Sequence, residues 1–355
     1  MIENLKQLRD KIDAIDDELL KLINSRAQLA QEVGKQKSGV AYRPERESQI
    51  FARLQQHNHG PLSQTQIRQL FTELISACRA LEDPFTVAYL GPTGTFSEEA
   101  VNSRFGKAVN ASPSSSIDEV FRKVESGTAN FGVVPVENST EGAVGRTMDL
   151  LLQTPLLICG ELELAVHQCL MAKQSDLNKI RKIYSHPQSF AQCQSWLINN
   201  LNNLQGIECI DAASNADAAR LAAADEYAAA IAGKQAAEVF SLMLCACNIE
   251  DNPNNTTRFL IIGSQAIAPS GRDKTSLVMA TNNRPGAVHE LLAPLAHYQV
   301  SMTRLESRPS RANLWDYVFF VDIQGHQQDT NVDKALQALR QNATFFKILG
   351  SYPVA

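Results

Sequence analysis

The sequence has no apolar run of about 18 residues, so nothing in it is expected to span a membrane as a helix. It has no cluster of basic residues and a formal net charge of −5, which argues against a nucleic-acid partner. The opening MIENLKQLRDKID alternates charge and carries no apolar signal core. Seven cysteines scattered over 355 residues do not make a disulfide scaffold and suit a reducing cytoplasm. Cys245-x-Cys247 and His57-x-His59 have no second pair at metal-ligand spacing. The first reads as helix core and the second as a polar turn before Gly60-Pro61, so no metal site is expected of them.

The first 82 residues carry a helical period. Leu5, Leu8, Ile12, Ile15, Leu19 and Leu22, resumed by Leu29 and Val33, alternate spacings of three and four, which predicts one long helix packing along a single stripe. Position 26 continues the stripe and holds Arg26, and Lys37 lies four beyond Val33 on the same side. At ~100° and ~1.5 Å per residue the two cations are nearly aligned and ~16 Å apart along the axis, a spacing able to grip a small dianion. The plainer reading pairs Arg26 with a carboxylate of a neighbouring helix, because an unpaired charge on a buried stripe is costly. Arg9 falls just off the stripe, and a lone helix cannot bury its own stripe. Both points predict an intertwined dimer in which Arg9 reaches the partner's site. A second helix follows Pro44 and carries Arg46 and Glu47. A third follows Pro61-Leu62-Ser63, with Glu82 continuing the face of Cys78. Arg46 and Glu82 are expected to point where Arg26 points.

From 85 to 265 strand-like and helix-like segments alternate, which predicts a doubly wound α/β unit. Residues 87–90 run into GPTGTFSEEA, residues 131–136 run into ENSTEG, and DNPNNTTR runs into the strand at 259–262. Gly91 and Gly94 allow a tight turn, and Ser97 is a candidate N-cap. Residues 217–224 and 234–243 read as Ala-rich helices. Ligand sites in open α/β sheets form at strand ends, so Thr256, Thr257 and Arg258 suit a small anionic substrate. The bland alternative is three unrelated surface turns. Residues 264–272 are small and polar, a flexible linker by composition. Residues 274–355 then follow the order βαββαβ, a ferredoxin-like α+β module.

GPTGTFSEEA (91–100), GVVPVENSTEG (132–142), SHPQSFAQC (185–193) and NNTTRFL (254–260) together resemble the prephenate dehydratase family, in its order and roughly its spacing. NRPGAVHELL (283–292) and TRLESRP (303–309) resemble the ACT domain of that family, and the helical arm resembles the all-helical chorismate mutases. The chain as a whole resembles the bifunctional chorismate mutase–prephenate dehydratases of bacterial phenylalanine synthesis. The resemblance implies an all-α mutase domain at 1–82 and a two-lobed α/β dehydratase at 85–265, folded like a type II periplasmic binding protein. A regulatory ACT domain would occupy 274–355. It implies a cytoplasmic homodimer or tetramer acting on chorismate and prephenate and inhibited by L-phenylalanine, with no cofactor, metal, nucleic acid or membrane.

The resemblance also carries residue roles. Mutase roles fall on Arg9, Arg26, Lys37, Arg46, Glu47 and Glu82. Some members have an Asp one turn before the Arg-Glu pair, where this chain has Arg43. The rearrangement is pericyclic, so the site need only hold the folded dianion and stabilise charge on the breaking ether oxygen, the latter through Lys37 and a protonated Glu82. In the dehydratase, Thr257 stands at the reacting centre and positions or relays a proton, since a hydroxyl is too weak an acid to give it outright. Arg258 binds a carboxylate or braces the loop. Thr95, Ser97, Asn138, Ser139, Thr140 and Gln188 are candidate substrate contacts, and His186 is either an acid or a residue held by the fold. Phenylalanine would meet Gly286, Ala287 and Val288 through their backbone, with Glu306, Ser307 and Arg308 nearby. Enteric members read Gly-Ala-Leu-Val where this chain has Gly286-Ala287-Val288-His289.

Two other readings compete. A solute-binding protein shares the central fold, but the missing signal core and the added helical arm argue against it. A monofunctional dehydratase with an inert helical arm is opposed by the intact cationic set. Release of phenylpyruvate from prephenate excludes the first, and turnover of chorismate excludes the second.

Overall fold

The computed structural model describes residues 5–36, 42–201, 205–309 and 317–355. Three helices open the chain: α1 (Leu5–Gln36), α2 (Pro44–His57) and α3 (Gln64–Glu82). Proline opens α2, where its missing N–H costs nothing, and Ser63 and Gln66 cap α3 reciprocally. The stripe predicted for α1 exists, but none of its 32 residues is buried, and Leu5, Leu8, Ile12, Ile15, Leu19, Leu22, Leu29 and Val33 all lie exposed. The last part of α1, where Arg26, Ala27, Ala30 and Gly34 are half-buried, comes against α3 at Gly34. A Cβ added at Gly34 would lie 2.4 Å from Glu82 Cγ, so glycine lets the two helices approach there. Just before α2, Tyr42 is fully buried outside the helical arm, its ring centroid 4.9 Å from those of Phe105 and Phe131.

The central unit has two lobes. The first is built from β1 (Thr86–Leu90), α4 (Phe96–Phe105), β2 (Asn110–Ser114), α5 (Ile117–Glu125), β3 (Phe131–Asn138), β4 (Gly142–Ala143), α6 (Gly145–Gln153) and β5 (Leu157–Ala165). The second contains β6 (Cys169–Ala172), β7 (Lys182–Ser185), α7 (Pro187–Gln192), α8 (Gln194–Asn200), β8 (Glu208–Asp211), α9 (Asn215–Ala224), β9 (Ala228–Ala232), α10 (Lys234–Phe240) and β10 (Met243–Cys247). The chain then returns to the first lobe as β11 (Thr256–Gly263), giving sheet orders β2-β1-β3-β11-β5 and β10-β6-β9-β7-β8. The two crossings are bonded to each other: Val166 N–H donates to Asn255 O at 2.8 Å, and Ile249 N–H to Gln168 O at 3.0 Å.

The helix expected to run to residue 243 stops at Phe240, because Ser241 takes the left-handed conformation that ends it. Cys245 and Cys247 therefore lie on strand β10 and not in a helix.

The C-terminal unit is β12 (Asp273–Ala280), α11 (Ala287–His297), β13 (Met302–Pro309), β14 (Tyr317–Gln324), α12 (Thr330–Asn342) and β15 (Phe345–Pro353), with sheet order β13-β14-β12-β15. This is the βαββαβ order read from the sequence. It does not hang on a flexible tether. Ile267 in the connecting segment is buried, the Gln265 side chain donates to Tyr42 O, and Asp273 accepts from the Ser270 and Gly271 amides. Val278, Phe320, Leu349 and Tyr352 share one apolar core with Val134, Ile158 and Leu260 of the first lobe. Lys347 Nζ reaches across to the carbonyls of Leu151 and Thr154, at 2.8 and 2.6 Å. Among the described residues no helix is long and apolar enough to cross a membrane.

Candidate active site

A cleft of ≈ 380 Å³ lies between the lobes beside the crossings, and β3 and β11 lead into it. Asn138 and Thr257, the last residue of β3 and the second of β11, are paired across the sheet. Asn138 Oδ1 accepts from the amides of Thr140 and Glu141 at 3.0 and 3.2 Å and from the Thr140 hydroxyl at 2.5 Å. Those three donors fix which way the amide points, leaving Nδ2 to donate to Thr257 Oγ1 at 2.8 Å. A hydroxyl with that lone pair occupied keeps its own proton to give. Asn138 Nδ2 also meets Asn255 Oδ1 at 3.0 Å.

Of the expected contacts, Asn138, Thr257 and Gln188 line this cleft. Thr140 orients Asn138, and Ser139 Oγ accepts from the Thr256 amide at 3.0 Å, tying two loops together. Thr95 occupies the N-cap of α4, the place expected for Ser97, and gives its hydroxyl proton to Leu90 O and Pro92 O, while Ser97 is buried in the helix. Phe96, between them, is the residue that reaches the cleft. His186 caps α7, its Nδ1 accepting from the Gln188 amide at 3.3 Å.

Arg258, expected to bind a carboxylate or brace the loop, projects to the opposite side of β11 from Thr257, as alternation along a strand requires. There its Nε donates to Glu161 Oε2 and its Nη2 to Asp322 Oδ2, both at 2.8 Å. Among the described residues lining the cleft there is no Lys, Arg or His, and Glu141 is the one charged side chain. Gln168 and Asn255 line it too, and the sequence reading missed both. They are 1 % and 2 % exposed, and Gln168 Oε1 and Asn255 Nδ2 have no hydrogen-bond partner among the described residues. Buried polar atoms are almost always paired, so these two mark where a ligand would supply an atom.

The helical arm keeps fewer expectations within one chain. Arg26 is half-buried, Arg9 is exposed, and Glu82 stands against α1 at Gly34. Lys37 lies outside the described residues. Arg46 is exposed, and Glu47 is buried in a different setting: its Oε1 meets Arg79 Nη1 at 2.5 Å and its Oε2 meets Arg104 Nη1 at 2.8 Å. Glu47 is thereby spent on α3 and on α4 of the dehydratase, and neither Arg79 nor Arg104 was singled out by pattern.

In the C-terminal unit Gly286 takes φ 78° at the start of α11, a conformation that favours glycine. Ala287 is buried and Val288 exposed. Arg304, Glu306 and Arg308 share the partly buried face of β13, whereas Ser307 lies on the exposed face, so the expected trio is split by strand alternation. Arg308 approaches Asp149 at 3.7 Å.

These features define a three-part enzyme: a helical arm, a two-lobed α/β unit with an amide-and-hydroxyl cleft, and a docked ferredoxin-like domain. The pattern described as chorismate mutase type II matches residues 8–83, prephenate dehydratase 87–267, and ACT domain 275–341. The bifunctional chorismate mutase/prephenate dehydratase of Stutzerimonas stutzeri is 47% identical over 362 residues, covering 99% of this chain and 98% of that protein. The protein of the same name from Neisseria gonorrhoeae is 48% identical over 351 residues, covering 98% and 96%. A prephenate dehydratase from Arthrobacter aurescens, solved in complex with L-Phe, superposes with TM-score 0.68 at 32% identity, covering 76% of this chain and 89% of that one. The chain belongs to the bifunctional chorismate mutase/prephenate dehydratase family.

Proposed function

We propose that the cleft between the lobes is the site where prephenate loses water and CO₂ to give phenylpyruvate, in a chain that also rearranges chorismate to prephenate and is inhibited by L-phenylalanine. The observation that carries the site is the Asn138–Thr257 hydrogen bond inside the cleft. Asn138 holds Oγ1 as acceptor, so the Thr257 O–H faces the ring hydroxyl that departs. Aromatisation drives the reaction, and the protein has only to ease departure of that hydroxyl and hold the substrate. The lack of a cation among the described residues of the lining fits the second half of the reaction. A carboxylate leaving as CO₂ loses its charge, and a cation gripping it would stabilise the starting state. The substrate is then held by uncharged polar groups of the lining, the donor Asn255 Nδ2 and the acceptor Gln168 Oε1 among them. Steady-state kinetics of Thr257→Ala test the reading. A fall in kcat with KM little changed supports it, and an effect confined to KM makes Thr257 a binding residue only.

The mutase site is read as completed by a second copy. Fully burying one Val, Leu or Ile side chain is worth about 1.5–3 kcal/mol, and eight such positions along the α1 stripe lie open. Two copies pairing along that stripe would cover it and bring Arg9 of each to the Arg26 and Glu82 of the other. We assign the domains to 1–82, 85–265 and 274–355. The effector is assigned to the start of α11 and to Glu306 and Arg308. Seven free cysteines suit residence in the cytoplasm.

A further inference from the structure

Glu306 and Asn138 belong to different domains, yet one guanidinium stands between them. Arg304 on β13 donates from Nη2 to Glu306 and holds Glu137 Oε2 3.1 Å from its Nε. Glu137 precedes Asn138 on β3, so it faces the C-terminal domain while Asn138 faces the cleft. A second tie runs beside the first. Arg258 follows Thr257 on β11 and reaches Asp322 of β14 and Glu161 of β5, and Glu161 also accepts from Lys274 at 2.6 Å. Asn138 and Thr257, which share the hydrogen bond in the cleft, thus each have a charged neighbour on the opposite face. Each neighbour is bound by the C-terminal sheet.

We propose that Arg258 and Arg304 are positioning residues of the dehydratase, through which the C-terminal domain sets the Asn138–Thr257 geometry, and that Arg304 is where an amino-acid effector acts on it. The effector part rests on the reading of that domain as a phenylalanine receptor. An ammonium group drawn to Glu306 competes with Arg304 for the carboxylate and turns the guanidinium wholly onto Glu137. Both arginine side chains are largely buried, at 12% and 16% exposure, which strengthens their pairing, although Glu137 itself is 40% exposed and its share is partly screened by water. Because β3 and β11 are hydrogen-bonded neighbours, a pull on Glu137 is a pull on the Asn138–Thr257 pair.

The test uses the full chain, with the melting temperature and circular dichroism of each variant reporting that it is folded. In Arg304→Gln, phenylalanine is expected still to bind, measured by calorimetry, while its effect on prephenate turnover falls about tenfold, within the ~5–150-fold range usual for coupling. Glu137→Gln breaks the same tie without touching the C-terminal domain and should uncouple equally, and Arg304→Lys should restore part of the coupling. Arg258→Lys and Asp322→Asn should lower kcat about tenfold with KM unchanged, the mark of a group felt only in the transition state. A merely structural role would lower the melting temperature and leave kcat per folded site alone. Undiminished inhibition in both Arg304→Gln and Glu137→Gln, or loss of phenylalanine binding in the first with normal inhibition in the second, overturns the coupling. If the unaltered protein binds no phenylalanine, the receptor reading falls, and unchanged kcat in Arg258→Lys and Asp322→Asn would then overturn the positioning role as well.

Discussion

Glu47 Oε2 lies 2.8 Å from Arg104 Nη1, joining the second helix of the mutase arm to the first helix of the dehydratase. Arg79 closes the other oxygen, and Tyr42 lies in the aromatic cluster behind them. Removing one partner from a buried ionic set typically costs about 3–5 kcal/mol, because the others are left unpaired. Glu47→Ala is therefore expected to lower the unfolding free energy by that order in urea. Glu47→Gln should disturb unfolding more than it slows chorismate turnover. A Gln variant as stable as the parent but without mutase activity would return Glu47 to the mutase site.

Thr257→Val keeps shape and removes the hydroxyl. Loss of a positioned proton donor usually costs ~10²–10⁴-fold, and that fall is expected in dehydratase kcat with KM within a few-fold. Chorismate turnover by the same preparation should be unaltered. A Val variant retaining a tenth or more of the parent kcat, about tenfold or less in loss, would remove the hydroxyl from the chemistry.

Gln168 offers an acceptor with no partner in the cleft. Prephenate has a ring hydroxyl able to fill it, and phenylpyruvate has none. Gln168→Met should raise the KM for prephenate by about tenfold, the worth of one hydrogen bond to a buried group. Inhibition by phenylpyruvate should be unchanged. Equal weakening of both ligands would show that Gln168 shapes the cleft and does not read the hydroxyl.

Deleting residues 274–355 looks harmless on the sequence, a module after a polar linker. The shared core says otherwise, since Leu260, Ile158 and Val134 would lose Val278, Phe320 and Tyr352 from their surroundings. The truncated chain should unfold at lower temperature and lose dehydratase activity. A truncated chain with the parent's melting temperature would show the two units to be independent.

Arg26→Ala should abolish mutase activity and leave dehydration of added prephenate intact, because the two sites sit on separate units. A variant with full chorismate turnover would make Arg26 structural.

Much of this was legible before the structure. The period of α1, the βαββαβ order and the NNTTRFL loop are local signals, and each has one structural solution. What failed depended on neighbours. Residues 234–243 read as one Ala-rich helix, yet the helix stops at Phe240, where Ser241 turns left-handed and Met243 opens a strand paired with β6. Alternation says that Thr257 and Arg258 look opposite ways, but only the lobes decide which of them sees the cleft. Gln168 and Asn255 became visible once the chain was seen to cross between lobes at those two points. The linker was misjudged because one buried Ile267 outweighs several small polar residues.

The two crossings carry a kinetic consequence. Gln168 and Asn255 sit on them, and the crossings are hydrogen-bonded to each other, so the pivot between the lobes is also the floor of the cleft. Closing the lobes and gathering the groups around a ligand are then one event, and so are opening them and letting product go. Tighter gripping at the pivot of the groups that prephenate and phenylpyruvate share lengthens the stay of both. The fastest enzyme of this design is one whose hinge is only moderately firm.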